Sequence, residues 1–336
     1  MKKIFFSLLA VAAIAACAKT EIAYDQQDTI GFQVVSGKMT KAAVEGTEYP
    51  VDLNMYVFAM TEINSAANTT ADYLDNAEFA KVLVSNDKNL WGGWLNDEAY
   101  PYYWPNVKKL YFSGVSKSGN VNNGAKPEYA NGVITVDGYE PGLGSEAEGN
   151  NDLMWFPTTP QSYGKGTEYV PVVMKHACSW ITIKLVGDDF TAGNYVVTDV
   201  HIEGLTTKGK AELGSTALWT LPTTGDYVGK NYSVYSDATG TELPADEPAV
   251  FENNNSTIVL PNQVPGTLSI KYHFTSQAET KIEEIVTGSL KFDNAGTPWQ
   301  PGVHYTYTVS ITASQILIQP DVTDWTPSGD HTVTVQ

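Results

Sequence analysis

Arginine is absent from the 336 residues, and every one of the 20 basic side chains is a lysine. The forked guanidinium group that proteins commonly use to bind phosphate and carboxylate groups is therefore missing. The 38 acidic side chains outnumber the lysines and give a formal net charge of −18. A surface of that sign repels a polyanion, which argues against nucleic acid as a partner.

Cysteine is also scarce, with one copy at Cys17 and one at Cys178. The first 16 residues carry two lysines and then one short apolar run, which indicates a secretory signal peptide and is too short to span a bilayer. Small residues directly before Cys17 resemble the lipobox of bacterial lipoproteins, in which this cysteine is acylated, for example with palmitate. A signal peptide followed by a chance cysteine is the alternative. We predict a lipid-anchored outer-membrane protein without an internal disulfide.

Long runs with helical periodicity are missing as well. Apolar residues instead alternate with polar ones in short runs bounded by Gly, Pro, Asn and Asp, which indicates a β-sandwich. The longest alternating run follows the turn signal at Pro301–Gly302. The Gly- and Asn-rich stretch 119–151 is interpreted as loops with one strand-like island, and the break at 160–166 predicts a domain boundary near residue 165. Cys178 lies in an extended apolar segment and is predicted to be a small buried side chain.

No pattern typical of a catalytic or metal site is present. The five histidines are isolated from one another and from any zinc-binding frame. The sequence also lacks a nucleophile elbow and a phosphate-binding loop, so we predict no enzymatic activity, no metal and no cofactor. Trp91, Trp94 and Trp104 crowd one segment, where they are either core residues or a platform that stacks on sugars.

The two ends of the chain carry the most informative pattern. An extended run near the N-terminus is followed by an open stretch in which Lys38 and Lys41 offer cleavage sites for a trypsin-like protease. If this first strand were cut away, the open sheet edge would accept a strand from another subunit, and the contact would polymerise head to tail. The alternative is that both terminal strands belong to their own domain. The inward positions are predicted to be Ile30, Phe32 and Val34 in the displaced first strand and His331, Val333 and Val335 in the donor strand.

Taken in order, these motifs resemble the fimbrillins of type V pili from Gram-negative anaerobes of mouth and gut. The match runs through most of the exported chain. The segments that carry it are Cys17, Ile30–Phe32, Thr40–Ala42, Trp94, Tyr102–Pro105, Leu110–Ser113, Asp152–Met154, His176–Ala177, Val259–Gln263 and Trp299–Tyr307.

The resemblance implies an all-β fold of two transthyretin-like β-sandwich domains in tandem. It implies a signal peptide (1–16), a lipidated propeptide with the first strand (17–41), an N-terminal domain (42–165) and a C-terminal domain with the donor strand (166–336). The implied function is that of a structural pilin subunit, matured by a protease and polymerised by donor-strand exchange into a cell-surface fimbrium that supports adhesion. Its implied partners are other copies or related fimbrial subunits.

One departure from the family concerns the cleavage site. The family's protease favours arginine, whereas this chain offers Lys41 before Ala42, with Lys38 as the second choice. An uncut relative would be a non-polymerising anchor or a tip accessory protein, and the tryptophan cluster leaves open a surface lipoprotein that binds glycans.

Overall fold

The computed structural model describes residues 30–36, 49, 53–81, 90–93, 102–105, 109–118, 121, 126–141, 152–163, 170–187, 193–244, 248–251, 257–264, 267–276, 285–291, 297–311 and 316–324. Within these ranges the structure is all-β, as predicted, and it contains no α-helix and hence none that could cross a membrane. In chain order the strands are β1 (Gly31–Ser36), β2 (Met55–Ile63), β3 (Ala66–Ala67), β4 (Leu74–Lys81), β5 (Leu90–Gly93), β6 (Lys109–Ser116), β7 (Glu128–Ala130), β8 (Val133–Tyr139), β9 (Met154–Ser162), β10 (Val170–His176), β11 (Ser179–Gly187), β12 (Gly193–Leu205), β13 (Gly209–Leu213), β14 (Ala217–Thr220), β15 (Lys230–Glu242), β16 (Ala249–Phe251), β17 (Thr257–Val259), β18 (Thr267–Ser276), β19 (Ile285–Lys291), β20 (Val303–Ile311) and β21 (Ile316–Asp324).

The first sheet closes on itself. Its strands are hydrogen-bonded in the order β2, β4, β5, β1, β10, β9 and β6, and β6 also pairs with β2. Alternate residues point to opposite faces of a strand, and one row each from β1, β2, β4, β6, β9 and β10 lines a common apolar core. Strand β2 is buried on both faces, since Met55 and Val57 lie in this core while Phe58 and Met60 pack outside it. We call the inner cluster the first core.

The second half of the chain forms a two-sheet sandwich. One sheet has the order β16, β11, β20 and β21, with β17 also paired to β11, and the other has the order β15, β12, β18 and β19. The alternating run predicted after Pro301–Gly302 is strand β20, whose inward residues from Tyr305 to Ile311 are at most 6% exposed. Gly302 has a positive φ of 69°, which suits the turn that starts this strand.

A fourth sheet joins the two halves of the chain. Strands β7 and β8 form a hairpin through Asn131 and Gly132, and β8 pairs with β13, which continues into β14. Both turn residues have positive φ values, 51° and 82°, as a tight hairpin turn requires. The strand-like island predicted within 119–151 is confirmed as part of β8. The interpretation of its surroundings as loops was wrong for Glu128–Ala130, which form β7, and it missed the pairing of β8 with β13, which lies more than about 70 residues further along the chain.

Side chains from both halves meet under this fourth sheet. The cluster combines Phe58, Trp155 and Cys178 with residues of β13 and β14 such as Trp219. Cys178 is fully buried, as predicted, and burial raises the pKa of its thiol well above the ordinary value. We call this cluster the junction core.

Hydrogen bonds cross the junction in several places. The indole N–H of Trp155 donates to the carbonyl of Gly214 at 3.0 Å, and that of Trp219 donates to the carbonyl of Ala177 at 2.7 Å. Strand β10 ends just before this point and belongs to the first sheet, where it pairs with β1 and β9. The first sheet thus extends beyond residue 165 to His176.

We predict that Trp219→Phe lowers the free energy of unfolding by about 1–3 kcal/mol, because it removes the N–H donor to a buried carbonyl at the junction. Urea unfolding measures the change. It is monitored by far-UV circular dichroism and not by tryptophan fluorescence, because the substitution removes a tryptophan. Its neighbour Leu218, which is 60% exposed, supplies the control, and Leu218→Ala should change stability by less than about 0.5 kcal/mol. Equal effects of the two variants would contradict the role of this hydrogen bond.

Candidate functional site

Strand β1 is held on both sides by backbone pairing. It runs parallel to β10, with Phe32 opposite Val170 and Val34 opposite Val172. On its other side it runs antiparallel to β5, where Phe32 is opposite Trp91. The backbone N–H of Ile30 donates to the carbonyl of Tyr102 at 2.6 Å. The first strand predicted from the sequence is therefore an internal strand of the closed sheet, with a hydrogen-bonded neighbour on each side.

The three residues predicted for the displaced first strand all lie in the first core, Phe32 and Val34 on β1 and Ile30 directly before it. Ile30 is 2% exposed, and Phe32 and Val34 are completely buried. Full burial of a side chain of this size stabilises a fold by roughly 1.5–3 kcal/mol, so this row contributes several kcal/mol to the closed sheet. The structure thus buries all three of these residues, while the displacement of the strand stays a prediction.

Phe32 sits in a pocket lined by three other phenylalanine rings. Its ring centroid lies 5.0 Å from that of Phe79 and 5.3 Å from that of Phe112, both edge to face, and 6.0 Å from that of Phe156. Edge-to-face contacts place the positive ring edge against a negative face, so they add stabilisation beyond the buried area. We call the site that Phe79, Phe112 and Phe156 form around Phe32 the phenylalanine pocket.

Gly114 on β6 makes room for this arrangement. A Cβ atom at residue 114 would lie 2.3 Å from Cε1 of Phe156 and 3.0 Å from the carbonyl oxygen of Tyr56. Since the carbonyl belongs to the backbone and the ring is packed, neither atom can retreat easily. The missing side chain is what lets Phe156 lie across β6 towards Phe32.

Tyrosine and tryptophan side chains border the phenylalanine pocket. The rings of Tyr102 and Phe79 are 5.3 Å apart, and Trp104 meets Phe112 edge to face at 5.6 Å. Trp104 is half-buried and packs against the first core, which favours the core interpretation for this member of the tryptophan cluster. Trp91 enters the site through its backbone, and Trp94 lies outside the described residues.

The other predicted site residues cannot be placed. The lipidation site, both cleavage sites and the donor strand lie outside the described residues, and these predictions remain open: Cys17, Lys38, Lys41, Ala42, His331, Val333 and Val335. The predicted cleavage sites fall between Ser36, where β1 ends, and Tyr49, the next described residue.

A buried acid–base pair lies where β9 begins and β10 ends. The Nδ1 atom of His176 is hydrogen-bonded to the carboxylate of Asp152, and both side chains are buried. Burial raises the pKa of Asp152, and the nearby His176 acts in the opposite direction. The sequence predicted neither member as a partner of the other, because 24 residues separate them.

His201 and His304 also have structural partners. His201 hydrogen-bonds Asp199 and Glu203 along the same strand, at 2.9 and 3.1 Å. His304 stacks on Trp180 and shares a 2.8 Å hydrogen bond with the hydroxyl of Thr182. Among the residues that the structure describes, no group of three or more His, Cys, Asp or Glu side chains could hold a metal ion.

One known protein family matches most of the chain. The family model described as fimbrillin-like matches residues 40–325. A search of curated protein sequences found no match. Among solved structures, a fimbrial protein from Bacteroides vulgatus superimposes with a TM-score of 0.59 at 15% identity, covering 89% of this chain and all of the other.

Two further solved structures share the fold at low identity. One is a proposed cell adhesion protein from Bacteroides ovatus, with a TM-score of 0.57, 12% identity and coverage of 88% of this chain and 97% of the other. The second is a proposed cell adhesion protein from Bacteroides uniformis, with a TM-score of 0.52, 16% identity and coverage of 89% and 100%.

We predict that Gly114→Ala destabilises the protein by about 1–3 kcal/mol, because its methyl group overlaps the ring of Phe156 and the ring must move against Phe32. Chemical denaturation measures this change. Gly214→Ala is the matched control, since its Cβ would lie 3.5 Å from Val133 in ordinary contact. A neutral Gly114→Ala variant would show that the pocket tolerates a shifted ring.

We predict a loss of stability on mild acidification that depends on His304. Burial, followed by the charge of Lys184, lowers the pKa of His304 from 6.5 to about 4. Between those values the unfolded chain binds a proton that the folded protein does not, so the free energy of unfolding falls as the pH falls. His304→Gln should flatten this dependence by up to about 1.4 kcal/mol per pH unit in urea titrations from pH 7 to pH 4.5. An unchanged slope of the free energy of unfolding against pH in the His304→Gln variant would contradict this prediction.

Proposed function

Since the chain belongs to the fimbrillin-like family, we propose that it is a structural pilin subunit, exported as an outer-membrane lipoprotein, cut by a surface protease and polymerised by donor-strand exchange. The family's structural, non-enzymatic character agrees with the prediction that this chain is not an enzyme. Its place is a cell-surface fimbrium, and its partners are other fimbrial subunits.

The observation that carries the proposal is the position of β1. The strand completes a closed sheet. The chain that links it to all later strands begins after Ser36, and the proposed cleavage sites Lys38 and Lys41 lie in this link. Cleavage before Ala42 would leave β1 held by backbone hydrogen bonds and by its row of apolar side chains alone. Its departure would expose the edges of β5 and β10 and the phenylalanine pocket between them.

An incoming strand would restore what the departure removes. It would supply hydrogen bonds to β5 and β10 and an apolar row for the first core, which is the recognition mode of an added strand. The proposed donor is the segment with His331, Val333 and Val335. It follows β21, which lies at the edge of its sheet in the described part of the structure, where it pairs with β20.

The division into two tandem transthyretin-like domains belongs to the same proposal. The two halves have separate cores, the first core and the sandwich core of β11, β12, β18 and β20. Strand β10 belongs with the first unit, because it pairs with β1 and β9. The lipid on Cys17 would hold the uncut precursor at the outer membrane until the protease acts.

We predict that deletion of residues 331–336 leaves a folded, exported monomer that no longer forms polymers. The described strands end at Asp324, so the deletion spares every strand described here. Polymer ladders on gels of unboiled surface preparations, compared with the unmodified chain, measure the effect. Normal ladders from the deletion would reject the donor role of this segment.

A control separates failure of processing from failure of assembly. N-terminal sequencing of the secreted deletion protein should give Ala42 as the first residue, which shows that cleavage has occurred. Replacing both proposed cleavage sites, Lys38→Gln with Lys41→Gln, while keeping the donor segment intact should abolish ladders and retain the acylated Cys17 form. Ladders from this uncut double variant would contradict strand release as a requirement for assembly.

A further inference from the structure

This inference rests on the proposed donor-strand mechanism. The site that β1 would leave has a shape that determines which strand can fill it. The side chain of Phe32 is completely buried, and rings from Phe79, Phe112 and Phe156 surround it on neighbouring strands. Gly114 leaves the room that the ring of Phe156 occupies beside Phe32. A smaller side chain at this position would leave an unfilled volume, since close-packed interiors collapse only in part.

The chain's own proposed donor segment does not supply a side chain of that size. A strand places alternate residues on one face, so the inward row of 331–336 is either His331, Val333 and Val335 or Thr332, Thr334 and Gln336. Phe292 is the last phenylalanine in the sequence, and the last tryptophan, Trp325, lies before this segment. Valine leaves most of the pocket empty, and a histidine, threonine or glutamine would bury a polar group among phenyl rings.

We propose that the phenylalanine pocket accepts a strand from a different subunit, one with a bulky aromatic side chain opposite Val170 and apolar residues two positions before and after it. The chain's own segment 331–336 is then a donor to another type of acceptor and not to a second copy of this chain. Phe79, Phe112 and Phe156 are the residues that determine this specificity. Replacing the aromatic side chain by valine should weaken strand binding by about 10- to 100-fold.

A peptide-exchange experiment on the full chain tests this inference. A specific protease site is placed between Ser36 and Tyr49, the folded protein is cut there, and the retained β1 segment carries a fluorescent label. Four unlabelled peptides then compete for its site: residues 29–36, the same peptide with Phe32→Val, residues 329–336, and the last peptide with Val333→Phe. We expect the first and fourth peptides to displace the label at concentrations about 10- to 100-fold lower than the second and third.

The outcomes separate this inference from the function on which it rests. If residues 329–336 compete as well as residues 29–36, the aromatic requirement is wrong, while strand exchange and self-assembly stand. If the label leaves with none of the four peptides, β1 is not exchangeable and the proposed function fails. Displacement by the two aromatic peptides alone supports both.

A measurement on the uncut protein provides a second test of the pocket. Phe32→Val should lower Tm by at least about twice as much as Ile30→Val, because the first removes an aromatic ring and the second one methylene group from the same row. Equal losses of Tm would show that the pocket closes around a smaller side chain, which would overturn the inference even if the cut protein unfolded.

Discussion

The packing of Phe32 among three phenylalanine rings is the contact on which the first sheet depends. Backbone pairing holds β1 between β5 and β10, but edges alone do not select one strand, since any extended chain offers the same hydrogen-bonding groups. Register comes from the apolar row, because a slip of one residue would turn Ile30, Phe32 and Val34 away from the first core. Side-chain shape therefore supplies the specificity and the backbone supplies much of the attraction.

Both halves of the chain contribute side chains to the junction core. Strand β8 comes from the first half and β13 from the second, and they pair along most of their lengths. The indole groups of Trp155 and Trp219 each reach a carbonyl across this boundary. Opening of the first sheet at β1 can leave this region intact, because none of the side chains described for β1 belongs to the junction core. A removable strand is thus compatible with a stable remainder.

The sequence was informative where a signal is local. Alternation over short distances identified β1 and β20, the Pro–Gly pair marked the turn before β20, and the apolar surroundings of Cys178 indicated its burial. The Asn131–Gly132 pair is also a local hairpin signal and could have identified β7 and β8. Pairing between distant segments could not be read in this way. Neither the contact of β8 with β13, nor the Asp152–His176 pair, nor the convergence of Phe79, Phe112 and Phe156 on Phe32 leaves a periodic mark, since each depends on how the strands are ordered in space.

The pairing of β1 on both of its sides has a mechanical consequence. Hydrogen bonds between strands lie across the strand direction, so a pull along β1 loads the bonds to β5 and β10 together, in shear. A pull perpendicular to β1 would instead break these hydrogen bonds one after another. A strand seated in this position resists tension along its length far better than peeling, which would suit the contact between subunits of the proposed fibre.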